Sequence, residues 1–91
     1  MIKLKKIQKA KQTLESVVYR TPISKAPILS EKFQSNIYLK KENLQLTGSF
    51  KIRGAFNKIA SLDKKTKALG VVAASAGNHA QGVAFSAKHF G

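Results

Sequence analysis

The chain has no cysteine and no tryptophan, only two prolines, and 4 acidic residues against 17 lysines and arginines. Each scarcity excludes something. Without thiols, neither the disulfides of small secreted domains nor thiolate zinc sites can form. His79 and His89 are the only histidines and stand ten residues apart, which is not a ligand spacing, so metal catalysis is set aside. No run of about 18 apolar residues is present for a membrane span. The opening residues, Met1-Ile-Lys-Leu-Lys-Lys-Ile, lack the apolar stretch and cleavage site of a signal peptide. The expected setting is the cytoplasm, with no membrane partner.

What is there is a globular composition, 43% hydrophobic and 23% charged over 91 residues, unlike that of a disordered segment. This length allows one small domain that buries about 60 to 65% of its unfolded surface. A net charge of +13 raises the question of nucleic acid. The excess is graded along the chain, +6, +4 and +3 by successive thirds, and Arg20 and Arg53 are the only arginines. Base reading favours the arginine fork. Lysines spread in this way read as a solvated surface, and no specific nucleic-acid partner is expected. A small basic nucleic-acid-binding module is the alternative from another class; it would lose affinity steeply with salt.

Leu4, Ile7, Ala10, Leu14, Val17 and Val18 recur at spacings of three and four between lysines, which predicts an amphipathic helix over 3–18 packed on the rest of the fold. Pro22 stops it and holds Thr21 extended. Residues 30–33 suggest a short helix and 36–42 a strand. After a loop at 43–48, Phe50, Ile52, Ala55, Phe56, Ile59 and Leu62 form the apolar face of a second long helix, with Ser49 as its N-cap and residues 63–66 closing it. Val71-Val72-Ala73-Ala74 reads as a strand buried on both faces of a parallel sheet. Ser75 to His79 form a turn, and 80–89 a helix with Val83, Ala84, Ala87 and Phe90 inward. Gly91 stands where a C-terminal helix glycine belongs. Strand, turn and helix are two-thirds of a βαβ unit, whose parallel partner must arrive across a right-handed crossover. The pattern is that of a truncated α/β domain.

Two places could carry chemistry. The turn through Gly77 precedes a helix whose first N–H groups and dipole favour an anion. It matches neither common phosphate template: Gly82 is followed by Val83-Ala84 rather than Lys-Ser/Thr, and the turn lacks G-x-G-x-x-G. Gly77 either only makes the turn or opens such a cradle. Asn78 could be an N-cap or an uncommitted amide. Lys51 is the second place. A cation in the first turn of a helix opposes the dipole by about 0.3 to 1 kcal/mol, and Arg53 adds repulsion. Such a setting suits an imine-forming amine, although with 15 lysines in 91 residues a plain surface residue is the reading that position alone favours.

Three segments carry a resemblance: Tyr38-Leu39-Lys40-Lys41-Glu42-Asn43-Leu44-Gln45, Thr47-Gly48-Ser49-Phe50-Lys51-Ile52-Arg53-Gly54-Ala55, and Ser75-Ala76-Gly77-Asn78-His79-Ala80-Gln81-Gly82. In this order they resemble the threonine dehydratases (threonine ammonia-lyases) and, more broadly, the fold type II pyridoxal-phosphate enzymes. The resemblance is colinear from the first helix to Gly91. It implies an α/β fold with a parallel sheet and flanking helices, of which this chain is the N-terminal portion. Residues 1–48 would begin the larger subdomain and 49–91 the smaller.

The cofactor implied is pyridoxal 5'-phosphate, held by Lys51 as a Schiff base, with Lys51 later moving the substrate Cα proton. Phe50 would lie against the pyridine ring and Asn78 would bond its phenolic oxygen. Ser75, Ala76, Gly77, Asn78, His79 and Ala80 would form the substrate-carboxylate loop. The reaction implied is deamination of L-threonine to 2-oxobutanoate and ammonia, with L-serine a second substrate, in isoleucine biosynthesis or in threonine catabolism. Ala76 stands where serine racemases carry a second serine, which favours elimination over racemisation. In this family the phosphate-binding loop and the partner of the pyridine nitrogen lie downstream. The 91 residues alone are therefore expected to fold poorly and to be inactive, and the complete protein to be a homo-oligomer. A non-catalytic remnant of the same fold is a further alternative, one that would tolerate Lys51→Ala.

Overall fold

Lys3 leads into α1 (Leu4–Leu14) without a side-chain cap, and no acid occupies the first turn. The helix ends earlier than its apolar spacing predicts. Val17 and Val18 continue as turns whose N–H groups both bond the Leu14 carbonyl, at 3.0 and 3.1 Å. Only the C-terminal half of the stripe packs: Leu14 is buried and Ala10, Val17 and Val18 half-buried, while Leu4 and Ile7 face solvent.

After Pro22 the chain forms β1 (Ile23–Lys25), then α2 (Pro27–Lys32), then β2 (Tyr38–Lys40). Pro27 occupies the first helical position of α2, where its missing N–H costs nothing. Ser30 Oγ accepts from the Ile37 N–H at 3.0 Å and donates to the Ile37 carbonyl at 3.3 Å, which ties α2 to the entry of β2. The two strands pair antiparallel, Ile23 opposite Lys40 and Lys25 opposite Tyr38. They are the only sheet in the structure.

The computed structural model describes all 91 residues, and it corrects the expectation of a strand at Val71–Ala74. That segment is irregular and exposed, with Val72 fully open to solvent. A strand exists only by pairing its N–H and C=O groups with a neighbour, and nothing in these 91 residues reaches it. Asp63 does not merely close the preceding helix. Its carboxylate accepts the Thr66 N–H at 2.7 Å and caps a further short helix, α4, lying beyond α3 (Lys51–Ala60). In chain order α4 (Lys64–Ala68) precedes α5 (Asn78–Phe90).

The core is the seam between α3 and α5. From α3 it takes Ile52, Ala55, Phe56 and Ile59, the i, i+3, i+4, i+7 face that the spacing predicts. From α5 the fully buried positions are Gly82 and Ser86, whereas Val83 and Ala87 are half-buried and Ala84 and Phe90 exposed. This corrects the expected inward face. Small residues lie innermost because the backbones nearly touch: a Cβ at Gly82 would stand 3.0 Å from the Lys51 carbonyl carbon and 3.1 Å from the Ile52 nitrogen. Ser86 can be buried because its hydroxyl donates to the Gly82 carbonyl at 2.7 Å, so no polar group is left unpaired. Further along, Phe56 meets His89 and Phe90 with ring centroids 4.9 Å apart in each case. Since residues 52 and 82 pair at one end and 56 and 90 at the other, α3 and α5 run in the same direction.

The whole is extended and thinly cored. Its radius of gyration is 16.0 Å, against roughly 12 Å for a compact domain of this length, and 10 of the 91 residues are buried. The isolated chain is therefore expected to bind a hydrophobic dye and to unfold without a sharp transition; a steep, dye-free thermal transition would contradict this. Within the seam, Gly82→Ala is expected to cost about 1 to 3 kcal/mol by overpacking. Gly54→Ala, with open space at its Cβ, should be neutral or stabilising by about 0.4 to 1 kcal/mol. Amide hydrogen exchange of α3 and α5 in the two variants measures the difference without requiring a sharp transition.

Candidate functional site

The approach to α3 is built by a turn. Gly48 takes φ +70°, a left-handed conformation that suits glycine, and its N–H bonds the Gln45 carbonyl at 2.8 Å. Ser49 is buried, and its Oγ accepts a long 3.4 Å hydrogen bond from the Lys51 N–H. It contributes to the helix start as expected, although the N-cap position itself belongs to Phe50.

Lys51 is the first residue of α3, with its side chain in solvent. Its Nζ lies 5.3 Å from the centroid of the Phe50 ring. Phe50 was expected on the apolar face but is 60% exposed, so it flanks the amine instead of joining the core. Ile52, the next residue, is completely buried. The lysine backbone is thus anchored while its amine is free to react.

The second half of the site is the start of α5. Gly77, at φ −131° and ψ −143°, is the N-cap and makes no side-chain cap bond. Its N–H donates to Ser75 Oγ at 3.3 Å and its carbonyl accepts the Gln81 N–H at 3.3 Å. Asn78 is the first helical residue rather than the cap, and its amide makes no hydrogen bond within the chain. The N–H groups of Asn78, His79 and Ala80 also find no acceptor, so they and the helix dipole present an anion site. Ser75 and Ala80 are half-buried; Ala76, Gly77, Asn78 and His79 are exposed.

The parallel run of α3 and α5 brings these halves together. Gly82 touches the Lys51 backbone, and Asn78 is one turn earlier on the same face of α5. Both helices therefore point their positive ends to the end of the seam where Lys51 stands. His79 lines a groove of about 310 Å³ with Gly54, Ala55, Val71 and Val83, and its backbone N–H is one of the three at the helix start that find no acceptor.

Sequence reasoning missed the polar lock beneath Lys51. It took Arg53 only as a repelling neighbour, whereas Arg53 is paired: Nε and an Nη donate to the two Glu42 carboxylate oxygens, each at 2.8 Å. The Thr21 hydroxyl donates to the same carboxylate. Gln45 accepts the Tyr19 N–H at 2.8 Å and donates to the Tyr19 carbonyl at 2.9 Å. Thr21 and Gln45 are buried. The available signal was the scarcity of acids, which makes Glu42 conspicuous, but its pairing with Arg53 across a glycine turn has no periodicity to show it. Nearby, the Thr47 hydroxyl oxygen is shielded from solvent and has no partner.

The Arg53 hydrogen bonds, above all, hold the Glu42 carboxyl well below its ordinary value of 4.5, at about 2. Partial burial works against them, and the Thr21 hydroxyl and the Arg53 charge reinforce them. Arg53 is correspondingly raised by its bonds to Glu42. For a carboxyl depressed on folding, the stabilisation is complete above the unfolded value and disappears as pH falls through the folded one. The lock should therefore hold above about pH 4.5 and be lost as the pH approaches 2. Helical circular dichroism across that window, compared between the parent and Glu42→Gln, measures it; parallel pH curves would count against it.

Comparison with known proteins places these features in a class. Residues 14–91 match the family described as pyridoxal-phosphate dependent enzyme, and the chain belongs to that family. An L-threonine ammonia-lyase of Thermotoga maritima is 59% identical over all 91 residues, which cover 23% of its length. A biosynthetic L-threonine dehydratase of Bacillus subtilis is 53% identical over the same span, 22% of its length. Among solved structures, the serine racemase from Dictyostelium discoideum superimposes with a TM-score of 0.89 at 41% identity, over 97% of this chain and 29% of that one. The chain thus spans about a quarter of the length of the curated relatives it matches. No helix is long and apolar enough to cross a membrane.

The residues present fit the family's cofactor. An exposed lysine amine beside an open aromatic face suits its aldehyde and ring, and Asn78 and the unpaired amides of α5 suit oxygen acceptors.

Proposed function

We propose that this chain is the N-terminal portion of a threonine ammonia-lyase, and that Lys51 is the residue that holds pyridoxal phosphate. Residues 1–48 begin its larger subdomain and 49–91 its smaller. The observation that carries this reading is the parallel seam, which sets the Lys51 amine at the same end as the three unpaired amides of α5. When bound, the cofactor supplies an electron sink for the substrate Cα.

The chain's own residues do the rest. The N–H groups of Asn78, His79 and Ala80, with Ser75 and Gly77 shaping the turn, hold the substrate carboxylate and so orient the amino acid. Ala76 presents only a methyl group there. The Asn78 amide would hold the phenolic oxygen of the cofactor, and Phe50 would lie against its ring. The Lys51 amine, within reach of the substrate Cα, would take its proton as a general base. Loss of the β-hydroxyl as water and hydrolysis of the product then give 2-oxobutanoate and ammonia from L-threonine, or pyruvate and ammonia from L-serine. The relatives from Thermotoga maritima and Bacillus subtilis are named for threonine as their substrate. Elimination rather than racemisation is favoured by Ala76, which has no hydroxyl to return a proton.

The test is chemical. Borohydride reduction of the holoenzyme followed by peptide mapping should find the cofactor on the peptide containing Lys51, and Lys51→Ala should lose both this label and threonine deamination. Label on another lysine, or deamination that survives in Lys51→Ala, would overturn the reading.

A further inference from the structure

The Glu42–Arg53 pair does more than join two segments. Arg53 lies in the first turn of α3, two residues after Lys51, where a cation is opposed by the helix dipole. No acid occupies that turn. Glu42, from the chain before the glycine turn, meets the guanidinium with both oxygens at 2.8 Å. Its side chain is only 13% exposed. A two-pronged contact between planar groups fixes orientation as well as distance, which a lysine ammonium cannot do.

The carboxylate is itself fixed from behind. The buried Thr21 hydroxyl donates to it, and the second Arg53 nitrogen also reaches the Tyr19 carbonyl at 3.4 Å. Tyr19 is in turn gripped on both its N–H and C=O by buried Gln45. The Arg53 N–H bonds the Phe50 carbonyl at 3.1 Å, so the anchored turn includes the residue that flanks the amine. On the other side Gly82 stands against the Lys51 and Ile52 backbone. The main chain of Lys51 is thus held between two contacts, neither of which touches its amine.

We infer that Glu42 is a positioning residue which, through the Arg53 fork, sets the orientation of the first turn of α3 and with it the reach of the Lys51 amine. This rests on the reading of Lys51 as the cofactor lysine. Loosening the fork lets the first turn rotate against the Gly82 contact, and a catalytic group displaced by about 1 Å can lose on the order of 100-fold in rate.

The test uses the holoenzyme and the variants Glu42→Gln, which keeps size and loses charge, and Arg53→Lys, which keeps charge and loses the fork. In both, borohydride mapping should still find the cofactor on Lys51, with unchanged far-ultraviolet circular dichroism. The visible circular dichroism of the bound cofactor, which reports a fixed ring orientation, should fall, and kcat for threonine should drop about 10- to 100-fold with a much smaller change in KM. Full kcat and an unaltered cofactor signal, with only the melting temperature lowered, would overturn the inference and leave the Lys51 reading standing. Label on another lysine in the parent enzyme would overturn the Lys51 reading, and this inference with it. If Glu42→Gln does not fold, Thr21→Val withdraws a single hydrogen bond from the carboxylate. It should move the same two signals in the same direction by a smaller amount, and no movement would overturn the inference.

Discussion

Everything that brings chemistry together in this chain depends on the contact at Gly82. Two helices can lie with their backbones about 3 Å beyond a missing Cβ only where one of them has no side chain. Ser86, one turn further along, keeps the approach close because it is small and satisfies its own hydroxyl on the Gly82 carbonyl. The resulting register sets Lys51 opposite the first turns of α5. A larger residue at 82 would separate an amine from its anion cradle as well as open a core.

The same compactness explains the distribution of polarity. Ile52, Ala55, Phe56 and Ile59 occupy the inner side of α3, leaving the helix start to polar groups and an exposed aromatic. In a chain carrying +13, lysines can remain in water, but an arginine at a helix N-terminus needs an anion. Glu42 supplies it, and the hydrogen bonds that depress its pKa also join the segment around Tyr19 and Thr21 to α3. Electrostatics and chain tracing are solved by one group.

Much of the local structure was legible because it follows from short-range rules. The apolar period of α3 and the left-handed Gly91, at φ +83°, needed no tertiary information, whereas α1 ends at Leu14, well before the break expected at Pro22. The helix beginning at Asn78 was read two residues late, since Asn is as good a cap as a first residue; only the backbone shows that Gly77 holds the cap position. The length of α1 was overread at its C-terminal end, where Val17 and Val18 still pack but leave the helix as turns whose N–H groups both bond the Leu14 carbonyl. Val71–Ala74 failed for a related reason: its apolar composition describes a buried strand, but hydrogen-bonded partners, not composition, make one. The antiparallel pairing of Ile23–Lys25 with Tyr38–Lys40 joins residues too far apart for local pattern to reveal.

By itself the sequence determined the apolar face of α3 from Ile52 to Ile59, the loop before it, the turn at Gly77, and the order of segments that resembles a pyridoxal-phosphate enzyme. These depend on backbone preferences and on residue identity, both of which are local. Only the tertiary structure decided that α3 and α5 run parallel with Gly82 on the Lys51 backbone, that Ser86 rather than Ala84 faces inward, and that Arg53 is bound by Glu42. Each of these follows from close packing and from the cost of leaving a buried polar group unpaired, conditions that no single segment can meet alone.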